Sequence, residues 1–427
     1  LVALTLGLLI AAAYAPVVNV SFLSDDWAII RLIIHPEAVT NWTEILRDFY
    51  SPLFFHDGSP FYRPMYTLSY GVDFWLFGTS TFGYHVTNLA IHFVSAFFVY
   101  LIALELVGGV RRFGIAVTAG AIFALYPIHS EAITWIAERV DLLVAAFYLP
   151  AVYLFLRWLR SGGVVFPMLS LACFTLALAS KEMAVTLPVV LFLCALYRRQ
   201  SLRRSVIRVL PFALMLGAYL LFRAYILSGV DAYGVVGRDL RPLGMLQGAL
   251  YRTGHLVFPL NPELLPAGWR GFLDPALMLL PVLIVMAAVA AYYFGGARSS
   301  LPLVLTASYL VALAPVLKAL RPDPDLSLAR WSYLPVAFVA ILIAFLVWTA
   351  MGWRPRLGWA LSALVCAAFL ALLTLNNGPW IRAGEMAERI LEEGTKPDMP
   401  LDYKGAHVFG SRITWLSANL PPFKERP

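Results

Sequence analysis

LVALTLGLLIAAAYAPVVNV, residues 1–20, runs directly into SFLSDDW, residues 21–27, and this junction decides how the chain is read. A predominantly apolar stretch of twenty residues, if helical, matches the hydrocarbon thickness of a bilayer. The two carboxylates that follow, Asp25 and Asp26, stand where such a helix leaves the membrane. Charge is costly at membrane depth, so an acid pair at this exit points to chemistry in the first loop.

Composition supports the membrane reading: of 427 residues, 60% are hydrophobic and 13% charged, which a soluble globular domain would not tolerate. The net charge of +7 comes from basic residues in short groups between apolar stretches. That is the pattern of cytoplasmic loops, and it does not imply a nucleic-acid partner. Cys173, Cys194 and Cys366 all lie inside apolar runs and read as packing residues, without a disulfide framework. The chain opens on Leu1, so an N-terminal piece is expected to be missing.

Apolar segments long enough to be read as spans fall near 1–20, 83–107, 114–128, 140–158, 164–180, 183–197, 206–227, 276–294, 301–318, 331–350 and 357–375. Residues 244–258 are shorter and carry Arg252 and His255, so they are expected to form a re-entrant or interfacial helix. The fold class expected is therefore an all-α polytopic membrane bundle of about eleven spans, with a long first loop over 21–82, a transmembrane domain over 1–375 and a polar external tail over 376–427. With the N-terminus inside, the inner loops carry Arg111 and Arg112, Arg157 to Arg160, Arg198 to Arg208, Arg298, Arg354 and Arg356; the acids lie on the other face, Glu105 excepted. The Lys/Arg bias thus places the acid pair outside, in the periplasm of a bacterial inner membrane or in a lumen.

Five outer segments open on this side and can share one cavity. The first loop holds Asp25, Asp26, His35, His56, Asp57 and Arg63, with an amphipathic stretch from Asn41 to Tyr50 that suits an interfacial helix. The others are 126–141, Ser180-Lys181-Glu182, residues 228–275, and Arg321 to Arg330.

Six motifs occur in order: Phe61-Tyr62-Arg63-Pro64-Met65; Phe82-Gly83-Tyr84-His85-Val86-Thr87-Asn88 with His92; Tyr126-Pro127-Ile128-His129-Ser130-Glu131-Ala132; Ala137-Glu138-Arg139-Val140-Asp141-Leu142-Leu143; Ser180-Lys181-Glu182 followed by Met183-Ala184-Val185-Thr186-Leu187-Pro188; and Arg330-Trp331-Ser332-Tyr333-Leu334-Pro335. Together with the acid pair they resemble the membrane part of the transmembrane-and-tetratricopeptide-repeat O-mannosyltransferases and their bacterial relatives, in the GT-C glycosyltransferase superfamily. The resemblance runs from about residue 20 to about residue 395. It implies an inverting transferase that takes a sugar, mannose at the family level, from a polyprenyl-phosphate carrier at a site facing away from the cytoplasm. Two departures stand out. The relatives continue into tetratricopeptide repeats that help hold a protein acceptor, which leaves a protein or glycan acceptor open here. The arginine motif, usually Arg-Tyr-Leu-Tyr-Leu-Pro, reads Arg330-Trp331-Ser332-Tyr333-Leu334-Pro335.

Glycosyl transfer needs a base for the acceptor hydroxyl, cationic help for the departing phosphate, and an oriented cavity. Asp25 or Asp26 suits the base, with the other as helix cap or orienter; mutual repulsion can lift one pKa. Arg330, Lys181 and Arg63 are the candidates for the phosphate, Arg330 foremost because its fork binds phosphate oxygens in pairs. Tyr333, with Trp331 and Phe338, is expected either along a groove for the polyprenyl chain, beside the phosphate site, or in the ordinary interfacial belt of aromatics. His129, Glu131, Glu182 and Arg139 are expected to line the site. Asp26, His129 and Glu131 form one candidate set for a divalent cation, Mg or Mn; the alternative has His129 and Glu131 bonded to loop backbone and to Arg139, with Arg139 and Asp141 as an internal pair. His85, Asn88 and His92 share one helical face and are read as ties between helices. A transporter would need polar residues at both faces, and these cluster at one. A catalytically silent subunit of a larger membrane complex, derived from such a transferase, is the competing reading.

Overall fold

The computed structural model describes residues 1–26, 29, 42–53, 61–227, 242–257, 259–261, 264, 300–317, 329–350 and 354–394. Among these residues the chain is helical, with no strand. A lipid-exposed chain must satisfy its backbone groups internally, and helices do so within each segment. In order, the helices are α1 (Val2–Tyr14), α2 (Trp42–Arg47), α3 (Pro64–Phe77), α4 (Thr81–Leu106), α5 (Arg112–Ala124), α6 (His129–Thr134), α7 (Arg139–Ser161), α8 (Val165–Leu178), α9 (Leu187–Tyr197), α10 (Leu202–Ile226), α11 (Pro242–Val257), α12 (Leu301–Leu313), α13 (Tyr333–Ala350) and α14 (Pro355–Gly394). Short 3-10 turns at Ile136–Glu138, Glu182–Thr186 and Ala329–Ser332 lead into α7, α9 and α13.

Among the described residues, five helical runs are long and apolar enough to cross a bilayer, and five shorter apolar ones accompany them. These correspond to every expected span except 276–294, which lies outside the described residues, as do Trp27, His35, His56, Asp57, residues 318–328 and the tail from 395. The stretch at 244–258 is the helix α11, whose Tyr251, His255 and Leu256 are buried. The first loop contains more helix than its pattern suggested: beside α2, residues Pro64–Phe77 form α3, on which α2 packs.

Helix α4 lies at the centre, against α1, α3, α5 and α7; α7 packs on α8, and α13 on α5 and α12. Its polar residues His85, Asn88, His92 and Ser95 recur at three- and four-residue steps and are all buried, whereas Phe82 and Val86 face outward. His85 Nε2 contacts the Val20 carbonyl at 2.8 Å, and His92 contacts the Ala124 carbonyl at 3.1 Å and the Tyr333 hydroxyl at 2.6 Å. These residues tie helices together, as read from the sequence. Small residues allow close approach: a Cβ at Gly114 would strike the ring of Trp348.

Helix α14 does not stop at the expected span end near 375 but continues to Gly394. Asn376 explains the continuation: its amide donates to the carbonyls of Pro127 (3.0 Å) and Pro259 (2.8 Å) and its oxygen accepts from Asn261 N (3.0 Å). Beyond it, Trp380 stacks on Trp135 and Ser21 donates to Glu388 at 2.6 Å, so this helix covers the start of the first loop.

Candidate active site

All the site residues expected from the sequence lie at one end of the bundle, because α4, α7, α9 and α13 begin there and α1 and α10 end there. The two acids of the pair diverge. Asp25 is exposed, while Asp26 is 1% exposed and fully engaged: Oδ2 accepts the Leu23 N–H at 2.9 Å and Oδ1 the Ala137 N–H at 2.5 Å. Asp26 is thus the clasp between the first loop and the turn before α7. Tyr66 strengthens this clasp by donating to the Ala137 carbonyl at 2.9 Å, and Trp135 does so by donating to the Leu23 carbonyl at 3.3 Å. Burial raises the Asp26 pKa well above the usual carboxylate range; the two backbone bonds oppose the shift, and Asp25 and Glu138 add to it. The repulsion expected between neighbours is therefore present but secondary to desolvation.

One residue beyond Ala137, Glu138 accepts from Arg330 Nε at 2.9 Å. Arg330 also contacts Glu131, through its guanidinium at 2.5 Å and its backbone N–H at 2.9 Å, and it lies over the ring of Trp135. The acid from the amino-terminal end and the guanidinium from far along the chain are thus joined through two consecutive residues of one turn. Glu138 was not singled out by the sequence reading, although it precedes Arg139 within a quoted motif.

Several expectations need correcting. Arg139 does not line the site: it is wholly buried, paired with Asp73 at 2.6 Å, and it donates to Asn88 Oδ1 (2.6 Å) and the Tyr84 carbonyl (3.0 Å) over the face of Tyr70. Its partner is not Asp141, which instead pairs with Lys181 at 2.6 Å. Lys181 is buried with that partner, and Arg63 pairs with Glu182 at 3.0 Å beside Phe61. Each candidate phosphate cation is thus held by a carboxylate. Tyr333, expected near the lipid phosphate, is a core residue, fully buried on His92 and His129.

The set proposed for a divalent cation is not assembled. Both Asp26 oxygens are bonded to backbone, Glu131 holds Arg330, and His129 is enclosed by Phe123, Tyr126, Tyr333 and His92. Burial, reinforced by His92, keeps the His129 pKa well below its ordinary value. Among the described residues no group of three His, Cys, Asp or Glu side chains is placed to hold a metal ion.

No family model matches the chain. Curated relatives include a protein O-mannosyl-transferase of Caenorhabditis elegans, 30% identical over 193 residues, which are 45% of this chain and 26% of the relative. Tmtc1 of Drosophila melanogaster is 33% identical over 43% of this chain and 21% of its own length, and human TMTC2 is 31% identical over 38% and 19%. The chain thus spans about a quarter or less of the length of these relatives. Among solved structures, ArnT from Cupriavidus metallidurans bound to undecaprenyl phosphate aligns with a TM-score of 0.42 at 13% identity, over 92% of this chain and 72% of that one. Over the stretches matched, this chain is similar in sequence to protein O-mannosyl-transferases.

Proposed function

We propose that the chain is a GT-C-type glycosyltransferase that moves a sugar from a polyprenyl-phosphate carrier to an acceptor hydroxyl at the extracytoplasmic end of the bundle. The observation that carries the reading is the Asp26–Ala137 and Glu138–Arg330 chain of contacts, which brings an exposed carboxylate, Asp25, to the same end as the Arg330 guanidinium. Kinship with O-mannosyl-transferases makes mannose the first sugar to test.

Asp25 takes the part of base, because Asp26 has both oxygens committed and is closed to solvent. In a single displacement the acceptor oxygen bonds to the anomeric carbon as the bond to the carrier phosphate breaks. The hydroxyl proton passes to Asp25, and the phosphate leaves with the sugar-bond electrons toward Arg330.

The test is transfer from radiolabelled polyprenyl-phosphate hexoses by the purified protein and by Asp25→Asn and Asp26→Asn. Asp25→Asn is expected to lose about 100-fold or more in rate at unchanged thermal stability, while Asp26→Asn loses stability as well. Wild-type rates in both variants would sink the assignment. The silent-subunit reading draws on the pairing of Arg330, Lys181 and Arg63 with carboxylates. It predicts that the protein binds no donor and transfers from none.

A further inference from the structure

At the end of the bundle opposite the candidate site, three arginines from two segments converge on Glu105, the acid that breaks the charge pattern of the inner loops. Arg157 and Arg160 of α7 pair with the Glu105 carboxylate at 3.3 and 3.5 Å, and Arg198, just after α9, donates to the Glu105 carbonyl at 3.2 Å. Glu105 itself is nearly buried, its side chain 8% exposed, while the Arg160 side chain is 57% exposed. Beside them Arg208 of α10 lies over Trp158 and Arg157 over Phe166. Twenty residues of α4 separate His85 from Glu105, which sets this cluster roughly 30 Å from the candidate site.

The ordinary bias for arginine in inner loops accounts for exposed single charges, but not for this convergence. One carboxylate among three guanidiniums leaves an excess of two positive charges. Two donors within the group, Arg157 Nε and Arg208 Nη1, are buried without a hydrogen-bond partner, a costly state for groups of this kind. A phosphate oxygen supplies what such donors lack, and the depth, at the ends of three apolar helices, is that of lipid headgroups.

We infer that this cluster binds the headgroup of an anionic glycerophospholipid from the leaflet at the arginine-bearing end, with its phosphate among Arg157, Arg160 and Arg198. The site is independent of the transferase reading and needs only that the helices cross a membrane.

Native mass spectrometry and thermal shift on the delipidated full chain, titrated with phosphatidylglycerol, phosphatidylcholine or inorganic phosphate, test it. Wild type is expected to prefer phosphatidylglycerol by roughly tenfold or more, at about fivefold per excess charge, and to show no shift with millimolar inorganic phosphate. Arg160→Gln with Arg198→Gln should bring the two lipids within about twofold of each other. Arg160→Gln alone, at a largely exposed position, should lose about fivefold and covers the case in which the double variant does not fold. Glu105→Gln removes the competing carboxylate and should tighten phosphatidylglycerol binding. Equal binding of both lipids by wild type, an undiminished preference in Arg160→Gln, a shift by inorganic phosphate alone, or a Glu105→Gln variant that loses stability without gaining affinity would each overturn the assignment.

Discussion

Asp73→Asn is the most informative single substitution, because it tests whether the buried Arg139 holds the turn that carries Ala137 and Glu138. The pair is closed to solvent, with side-chain exposures of 0% for Arg139 and 2% for Asp73 at 2.6 Å. At an effective dielectric near 20, unit charges about 4 Å apart attract by about 4 kcal/mol. Removing one partner of a buried pair usually costs about 3–5 kcal/mol because the other is left uncompensated. Arg139 keeps Asn88, the Tyr84 carbonyl and the Tyr70 ring, and Thr87 still has an oxygen to donate to at position 73, so the low end, about 3 kcal/mol, is expected. Detergent-titration unfolding of Asp73→Asn, Arg139→Met and the double variant gives the cycle. The double variant should be less damaged than the sum of the singles by more than about 1.5 kcal/mol. A loss under about 0.5 kcal/mol in Asp73→Asn, within the range of an ordinary surface change, or strict additivity would refute the argument.

His129 is held neutral in the fold by burial, below its ordinary value of 6.5, whereas in the unfolded chain it gains a proton as pH falls. Its contribution is therefore intact above about pH 6.5 and lost below it, by up to about 1.4 kcal/mol per pH unit. Melting profiles between pH 8 and pH 5 should fall more steeply for wild type than for His129→Phe, and parallel profiles would count against the reading. Asn376→Leu removes partners from two buried carbonyls and one backbone N–H. It should cost about 3 kcal/mol and expose the α14 extension to proteolysis after the junction near Asn376; an unchanged cleavage pattern would show that other contacts hold that helix.

The spans were legible because lipid permits so few alternatives: every apolar segment within the described residues became an apolar helix. Convergence at one end was legible too, since helices that alternate direction bring alternate loops together. The ion-pair partners were not. The pairing of Arg139 with Asp141, two residues on, was one alternative that the sequence offered. Positions one or two apart do not face each other on a helix, and the structure instead pairs Arg139 with Asp73, Lys181 with Asp141 and Arg63 with Glu182. Helix spacing alone argued against the local pair, but choosing the true partner required the rotation of α3 against α7, which is set by packing that a single sequence does not display. The same geometry separates the acid pair. Consecutive residues at a helix start point apart, so one carboxylate of Asp25 and Asp26 had to turn inward, and the sequence left open which. The Leu23 and Ala137 N–H groups donate to the two Asp26 oxygens, which turns Asp26 inward and leaves Asp25 in solvent. The buried member of the pair thus fixes the loop, and the proposal of Asp25 as base rests on the exposure that this leaves to it.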